Sequence, residues 1–312
     1  MKVGVIGTGN MGENHVRTYL SMDDHCQFIG IYDEDEQKRH QIAKKYNVKP
    51  FQSVDDLLKS VDAVSIAVPT EFHYEIGLAC IRHNVHMLME KPITTTVLQA
   101  DDLIDKARKA NVTFQPGHIE LYNPLIQVLI NMLTNETIIG AAFHRISPAD
   151  PKLKHVDVVK DLMIHDIYIL NELLQDNGMT FFALGKIIDG TPKHAAAVTR
   201  TSQGTTAQLT ASSMSGRKIR TIQILTEDAF FEADLLSHQI RITRAFLEKT
   251  RNHPVPLTET IQVENSIQPL SLQLLDFLEC VESGTEPSVS GENGKQALMI
   301  ANQIAHSIAV LH

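Results

Sequence analysis

The 312-residue sequence predicts an α/β fold in two parts: a doubly wound parallel sheet at the N-terminus, then an α+β domain with a large, mostly antiparallel sheet. Three observations predict it. Strand-like and helix-like runs alternate through the first third with short connections, the order of βαβ units. After about residue 120, hairpin-length turns replace helices between strands, the pattern of an antiparallel sheet. The length also exceeds the ~250–300 residues at which a single core stops growing. Two domains are therefore expected, 1–119 and 120–312.

KVGVIG (2–7) is a β-branched run ending in glycine, and QFIGIYD (27–33) is a second, followed by the polar helical stretch EDEQKRHQIAKKY. Ser53 before VDDLLKS has the character of a helix N-cap. DAVSIAVP (62–69) is nearly continuously apolar, as a strand buried on both faces should be. HYEIGLACIRHN reads as helix, VHMLMEKP (85–92) as strand, TTVLQADDLIDKARKAN as helix and VTFQPGH as strand. Beyond them, NPLIQVLINMLTN (123–135) predicts a helix and IIGAAFHRI a strand, and an irregular PADPKLKHVDVVK leads to a helix beginning near Asp161. Residues 180–245 are strand-like, with turns at DGTPK, TSQG and SMSGRK, and two helices close the chain at 268–283 and 292–311. Apolar positions such as Leu209, Ala211, Ile222 and Ile224 would give this sheet a free face for self-association, a homodimer or homotetramer.

The net charge of -9, without any block of Lys and Arg, argues against nucleic acid and anionic membranes as partners. Cys26, Cys80 and Cys280 are far apart and form no CxxC pair, which fits a reducing compartment and not a structural zinc site. No run reaches the ~18 apolar residues of a membrane span, and Met1-Lys2 leads straight into VGVIG, too short for a signal peptide. The expected location is the cytoplasm. His40, His83, His253 and His312 are expected to be solvated.

Gly7-Thr8-Gly9-Asn10-Met11-Gly12 fits G-x-G-x-x-G. The pattern alone is weak, but here it follows a strand, opens a helix and precedes Asp33, at the end of the next strand, by 21 residues. That is the Rossmann dinucleotide fingerprint: a tight turn, close backbone approach to a pyrophosphate, close helix–strand packing, and a carboxylate for the adenosine ribose. Lys38 and Arg39 follow in a polar helix, where a solvated face is expected. Ligands bind at the carboxyl ends of such strands, which here read VPTEFH, MEKP and QPGHIE. Lys91 precedes a proline, which restricts it to extended backbone and fixes its direction; a plain surface charge is the alternative. In DLMIHDIYIL (161–170), Asp161 and His165 are spaced to share one helix face within an apolar run. A buried His satisfied by its own helix is the bland reading, and a proton-handling pair the sharper one.

VGVIGTGNMG, VPTEFH, EKP and D-x-x-x-H, in this order over nearly the whole chain, resemble the Gfo/Idh/MocA oxidoreductase family. GHIELYNP (117–124) and DLMIHDIYIL resemble its branch of nucleotide-sugar oxidisers, the UDP-N-acetylglucosamine 3-dehydrogenase type, whose members commonly read GHIERFNP and DLMIHDID. Leu121 and Tyr168 depart from that pattern on the flanks of the sugar site. The resemblance implies an NAD-dependent dehydrogenase, with NADP as the alternative, acting on a secondary hydroxyl of a sugar or nucleotide sugar. An inositol or polyol dehydrogenase and a nicotinamide-binding sensor without turnover are the other readings. It implies that Lys91, Asp161 and His165 meet over the nicotinamide, and that the Lys91–Pro92 peptide is cis. His165 would take the carbinol proton, Lys91 would stabilise the alkoxide, and Asp161 would orient the ring or bind the sugar. With Lys91 supplying positive charge no metal is needed; a metal on Asp161 and His165 is the alternative. Gly7, Thr8, Gly9, Asn10, Met11, Gly12, Asp33, Val68, Pro69, Thr70, His73, Glu90 and Lys91 would line the cofactor, His73 near the nicotinamide ribose. His118, Glu120, Tyr122 and Asn123, with Asp161 and His165, would line the sugar; interdomain packing is the alternative for the first four.

Overall fold

The computed structural model describes residues 1–149, 156–176, 178–247, 254–264 and 266–310. It divides into two compact units: residues 1–122 with 267–298, and residues 123–266 with 299–312. The expected boundary at 119/120 thus moves by three residues, and the C-terminal helices are shared out instead of both joining the second domain.

The first unit contains β1 (Lys2–Ile6), α1 (Asn10–Leu20), β2 (Gln27–Tyr32), α2 (Glu36–Tyr46), α3 (Val54–Leu58), β3 (Ala63–Ile66), α4 (His73–Arg82), β4 (His86–Met89), α5 (Val97–Lys109) and β5 (Phe114–Pro116). All five strands are parallel, in the order β2-β1-β3-β4-β5. β3 is apolar apart from Ser65 and buried along its length, because helices cover both faces of a sheet built from βαβ crossovers. The helix starts are written locally: Asp35, Ser53 and Thr96 each accept a backbone N–H three residues on. One apolar core joins α3, α4 and α5 to the sheet, and a second joins α1.

Helix α8 (Pro269–Ser283) completes that second core. Its stripe of Leu270, Leu274, Phe277 and Leu278, at helical spacing, packs with Val3, Val5, Val16 and Tyr19. Gln115 donates to the Gln273 carbonyl and Gln273 to that of Pro116, and the Tyr122 hydroxyl donates to Asp276 at 2.6 Å. These contacts, which a stripe of leucines cannot announce, assign α8 to the first unit.

The second unit contains α6 (Pro124–Leu133), β6 (Ile138–Pro148), a π-helical turn at Val159–Met163, α7 (Ile164–Leu174) and β7 (Thr180–Ile188). β8 (Thr191–Arg200), β9 (Thr206–Ser215), β10 (Ile219–Thr226), β11 (Ala229–Asp234), β12 (Gln239–Leu247) and β13 (Pro254–Gln262) follow. α9 (Gly291–Val310) carries the division within it, after Leu298. The eight strands are ordered β13-β12-β11-β10-β6-β9-β8-β7, antiparallel throughout except for β6 with β9. Asp189 (φ 51°) and Gly190 (φ 74°) make the tight β7–β8 turn, the positive-φ pair of a type I′ hairpin. β13 is an unforeseen strand. Its prolines at 254 and 256 read as breakers, and they are accommodated because β13 is an edge that pairs only with β12.

The sheet's two faces are the reverse of the expectation. Leu209, Ala211, Ile222 and Ile224 are at most 1% exposed and form the covered face. By the two-residue strand period the open face is the other one, with Phe182, Leu184, Val198 and Leu225 exposed. Alternation shows that a strand has two kinds of face but not which one the helices cover. Among the described residues no helix is long and apolar enough to cross a membrane. His253 and His312 lie outside the described residues.

Candidate functional site

In the first unit the glycine loop leaves β1 with Gly7 at φ +86°, where a Cβ would sit 2.6 Å from the Ala67 carbonyl oxygen. A Cβ on Gly12 would lie 1.8 Å from the Gly7 carbonyl oxygen, so α1 can approach the loop only as glycine. Gly9 is different: its nearest neighbour is the Lys38 ammonium at 3.7 Å from the Cβ position, leaving room for a ligand against the backbone. α1 has no side-chain cap at Gly9, and uncapped N–H groups at a helix start bind phosphate. Gly7, Gly9, Asp33, Lys38, Val68 and Pro69 line a cleft of about 750 Å³. Open backbone, uncapped helix and acidic far wall fit a dinucleotide.

Thr8 is buried, and its N–H and hydroxyl both donate to Asp33 Oδ2, at 2.6 and 2.7 Å. Its part in the cofactor site is to fix the carboxylate; Asn10 and Met11 are more exposed. Burial works against the Asp33 charge, but the Thr8 bonds, the Asp35 N–H and the Lys38 ammonium outweigh it, so its pKa lies below the usual carboxylate range. Arg39 leaves the solvated face expected of the pair, while the Lys38 side chain stays 42% exposed. Lys38 Nζ lies 3.8 Å from Asp33 Oδ2, and Arg39, 5% exposed, donates to the Asp33 carbonyl at 2.7 Å beside the Tyr32 ring. The Asp35 cap starts α2 directly after β2, so its first turn faces the strand end.

At the next strand end, Val68 and Pro69 line the cleft, while Thr70 and His73 do not. His73 is 1% exposed, and its ring nitrogens lie 2.9 Å from the carbonyl oxygens of Val68 and Pro92. It ties the β3 loop to the residue after Lys91, so direct contact with a cofactor ribose is replaced by support of the loop. Burial outweighs the carbonyls and Glu90, and its pKa lies below the ordinary histidine value. Glu90 likewise turns inward: Oε1 lies 3.1 Å from Nε2 of the fully buried His15, whose Nδ1 is 2.9 Å from Ser65 Oγ. His15 is a supporting residue that the sequence reading missed, since its partners lie 50 and 75 residues away. Lys91 thus has both neighbours held, is itself partly exposed, and precedes a cis peptide to Pro92, as the resemblance implies.

Of the four expected sugar-lining residues, two have their polar groups engaged within the fold. Tyr122 is buried and its hydroxyl is engaged by Asp276 and Gln115, and Asn123 caps α6 by accepting the Leu125 N–H. Both hold structure. His118 is 1% exposed, and burial, with the Lys91 charge second, pushes its pKa down to about 3. Glu120 alone of the four is partly exposed. A histidine neutral in the fold but titrating near 6.5 when unfolded makes stability depend on pH. The unfolded chain binds the extra proton, so stability is full above 6.5 and falls as pH drops towards 3. The slope from this one group is about 1.4 kcal/mol per pH unit. Urea melts near pH 7 and about pH 5 should show the loss, and His118→Gln should flatten the difference.

In the second unit Asp161 lies in the π-helical turn and His165 in the first turn of α7, so the expected single α-helical face is split between two helix types. Such π turns recur at functional sites. Both side chains are partly exposed, whereas Val159, Met163, Ile164 and Ile167 are buried. His165 Nδ1 lies 2.6 Å from the hydroxyl of Tyr168, which is 2% exposed, and the rings meet edge-on at 73°. Arg145 of β6 pairs with Asp166 at 2.8 Å, both side chains 4% exposed, anchoring α7 to the sheet. Lys91 belongs to the first unit, Asp161 and His165 to the second.

Residues 1–118 match a family model described as an oxidoreductase family with an NAD-binding Rossmann fold. UDP-N-acetylglucosamine 3-dehydrogenase of Acidithiobacillus ferrooxidans is 29% identical over 309 residues, covering 97% of this chain and 96% of that one. Its solved structure superposes with a TM-score of 0.93 at 28% identity, over 99% of this chain and 98% of the other. Myo-inositol 2-dehydrogenase of Thermotoga maritima is 25% identical over 317 residues, 96% of this chain and 94% of that protein. A levoglucosan dehydrogenase solved with NADH shares the fold at a TM-score of 0.86 and 16% identity, covering 100% of this chain and 98% of that one.

Proposed function

Because this chain belongs to the Gfo/Idh/MocA family of oxidoreductases with an NAD-binding Rossmann fold, we propose that it oxidises a secondary hydroxyl of a nucleotide-linked sugar of the UDP-N-acetylglucosamine kind. The observation that carries the reading is the likeness to UDP-N-acetylglucosamine 3-dehydrogenase along both chains' full lengths. When bound, the nicotinamide cofactor takes up the hydride. His165 accepts the carbinol proton, a task suited to a side chain whose ordinary pKa is near working pH. The Lys91 ammonium stabilises the alkoxide charge, and Asp161 hydrogen-bonds the sugar or orients the base. Retention of all three favours an enzyme over a sensor, which has no use for a proton acceptor. The inositol reading rests on the Thermotoga maritima relative. The free, buried cysteines accord with a reducing, cytoplasmic setting. Reduced-nicotinamide absorbance with UDP-N-acetylglucosamine, N-acetylglucosamine and myo-inositol tests the proposal; the UDP-sugar should give the highest kcat/KM, and preference for inositol would overturn it.

The pocket wall sets an expectation for the cofactor. A 2′-phosphate brings roughly two negative charges against the Asp33 carboxylate, and Lys38 offsets only part of that from 3.8 Å away. NAD should exceed NADP in kcat/KM by at least tenfold, which takes only about 1.4 kcal/mol. Asp33→Ser should narrow the gap and Lys38→Ala widen it. Equal use of both cofactors by the unaltered protein would make Lys38 the residue that decides.

The open sheet face bears Phe182, Leu184, Val198 and Leu225, exposed by 46–74%. An apolar surface of this kind on a sheet fits a second copy of the chain. Light scattering at micromolar concentration should report a dimer or tetramer, and Phe182→Asp should shift it towards the monomer.

A further inference from the structure

Tyr168 is in direct contact with the residue read above as the base. We infer that Tyr168 is the positioning residue for His165: its phenol oxygen accepts the Nδ1–H and thereby leaves Nε2 as the proton acceptor. The inference rests on the proposed role of His165.

The geometry supplies the contact, and the proposed role of His165 selects the tautomer. His165 and Tyr168 are three apart on α7 and therefore share one face. The phenol is 2% exposed while the imidazole is partly exposed, so Tyr168 is fixed by packing and His165 remains reachable. A hydroxyl can accept or donate, and a neutral imidazole has one N–H and one lone pair. Were the phenol to donate to Nδ1, the ring's single proton would lie on Nε2 and block it. With Nδ1–H donating to the phenol at 2.6 Å, Nε2 keeps its lone pair. The carbinol O–H bond then breaks towards Nε2 as its C–H electron pair leaves as hydride to the nicotinamide. The imidazolium formed keeps the same Nδ1–H bond, so no reorientation accompanies the transfer.

Burial also explains why a phenol suits this position. An ionised carboxylate at a site 2% exposed needs a cation and further hydrogen bonds of its own. Arg145, a buried cation that meets α7, is already paired with Asp166 at 2.8 Å. A phenol orients the ring without adding a second buried negative charge.

The first test is independent of turnover. Side-chain ¹⁵N NMR of the whole protein, with His165→Asn identifying the resonances, should show His165 as the Nδ1–H tautomer. Tyr168→Phe keeps the buried ring and removes only the oxygen, and it should move the population towards Nε2–H. An Nε2–H tautomer in the unaltered protein, or an unchanged tautomer in Tyr168→Phe, would overturn the inference. With UDP-N-acetylglucosamine and NAD, Tyr168→Phe should lower kcat roughly 5–10-fold, the worth of one orienting hydrogen bond, and leave both KM values unchanged. The loss should vanish in the His165→Asn background, whereas a general loss of packing would persist there. An Nδ1–H tautomer together with full turnover in His165→Asn would uphold the positioning by Tyr168 and refute His165 as the base.

Discussion

His165→Asn should lower kcat by about 10²–10⁴-fold, the usual worth of general acid–base catalysis, while NAD binding measured by calorimetry stays intact. The two effects separate because the residues in question lie in different units. The glycine loop, Asp33 and the cleft beside them are in the first unit, and His165 is in the second. Stability should change little, because the imidazole is partly exposed while α7 is held by Ile164, Ile167 and the Arg145–Asp166 pair. Near-normal turnover in this variant would remove His165 from the chemistry.

Lys91→Met should cost at least as much. The substitution keeps an unbranched stem and deletes the charge, so it removes electrostatic stabilisation of the alkoxide with little change in volume. A second readout does not involve turnover. The Lys91 charge is the second cause, after burial, that holds His118 neutral, so His118 should titrate at higher pH in Lys91→Met. Unchanged kcat would refute the catalytic role, and an unmoved His118 would refute the electrostatic link between the two residues.

What could be read in advance was what is encoded locally. Gly7 and Gly12 each meet a backbone constraint and Gly9 leaves its backbone open, as the G-x-G-x-x-G spacing states outright. The caps at Asp35, Ser53 and Thr96 are likewise local, as is the Asp189–Gly190 turn. Less legible was how each polar residue near the strand ends is used. His73, Glu90, Tyr122 and Asn123 were all identified as site residues, and in the fold each turns to a supporting partner. Motif membership located them but could not say whether they face a ligand or hold up the neighbour that does.

The sequence by itself determined the parallel sheet with its nucleotide loop and the antiparallel sheet. Those features follow from residue spacing over one or two turns, which backbone geometry converts directly into structure. The tertiary structure decided which face of the second sheet is covered, that α8 completes the first core, that Lys38 and Arg39 turn towards Asp33, and that Tyr168 meets His165. Periodicity gives an element two distinguishable faces, and only packing against segments far away in the chain settles which one is buried. The 154 residues between Tyr122 and Asp276 show how far that choice lies beyond any local pattern.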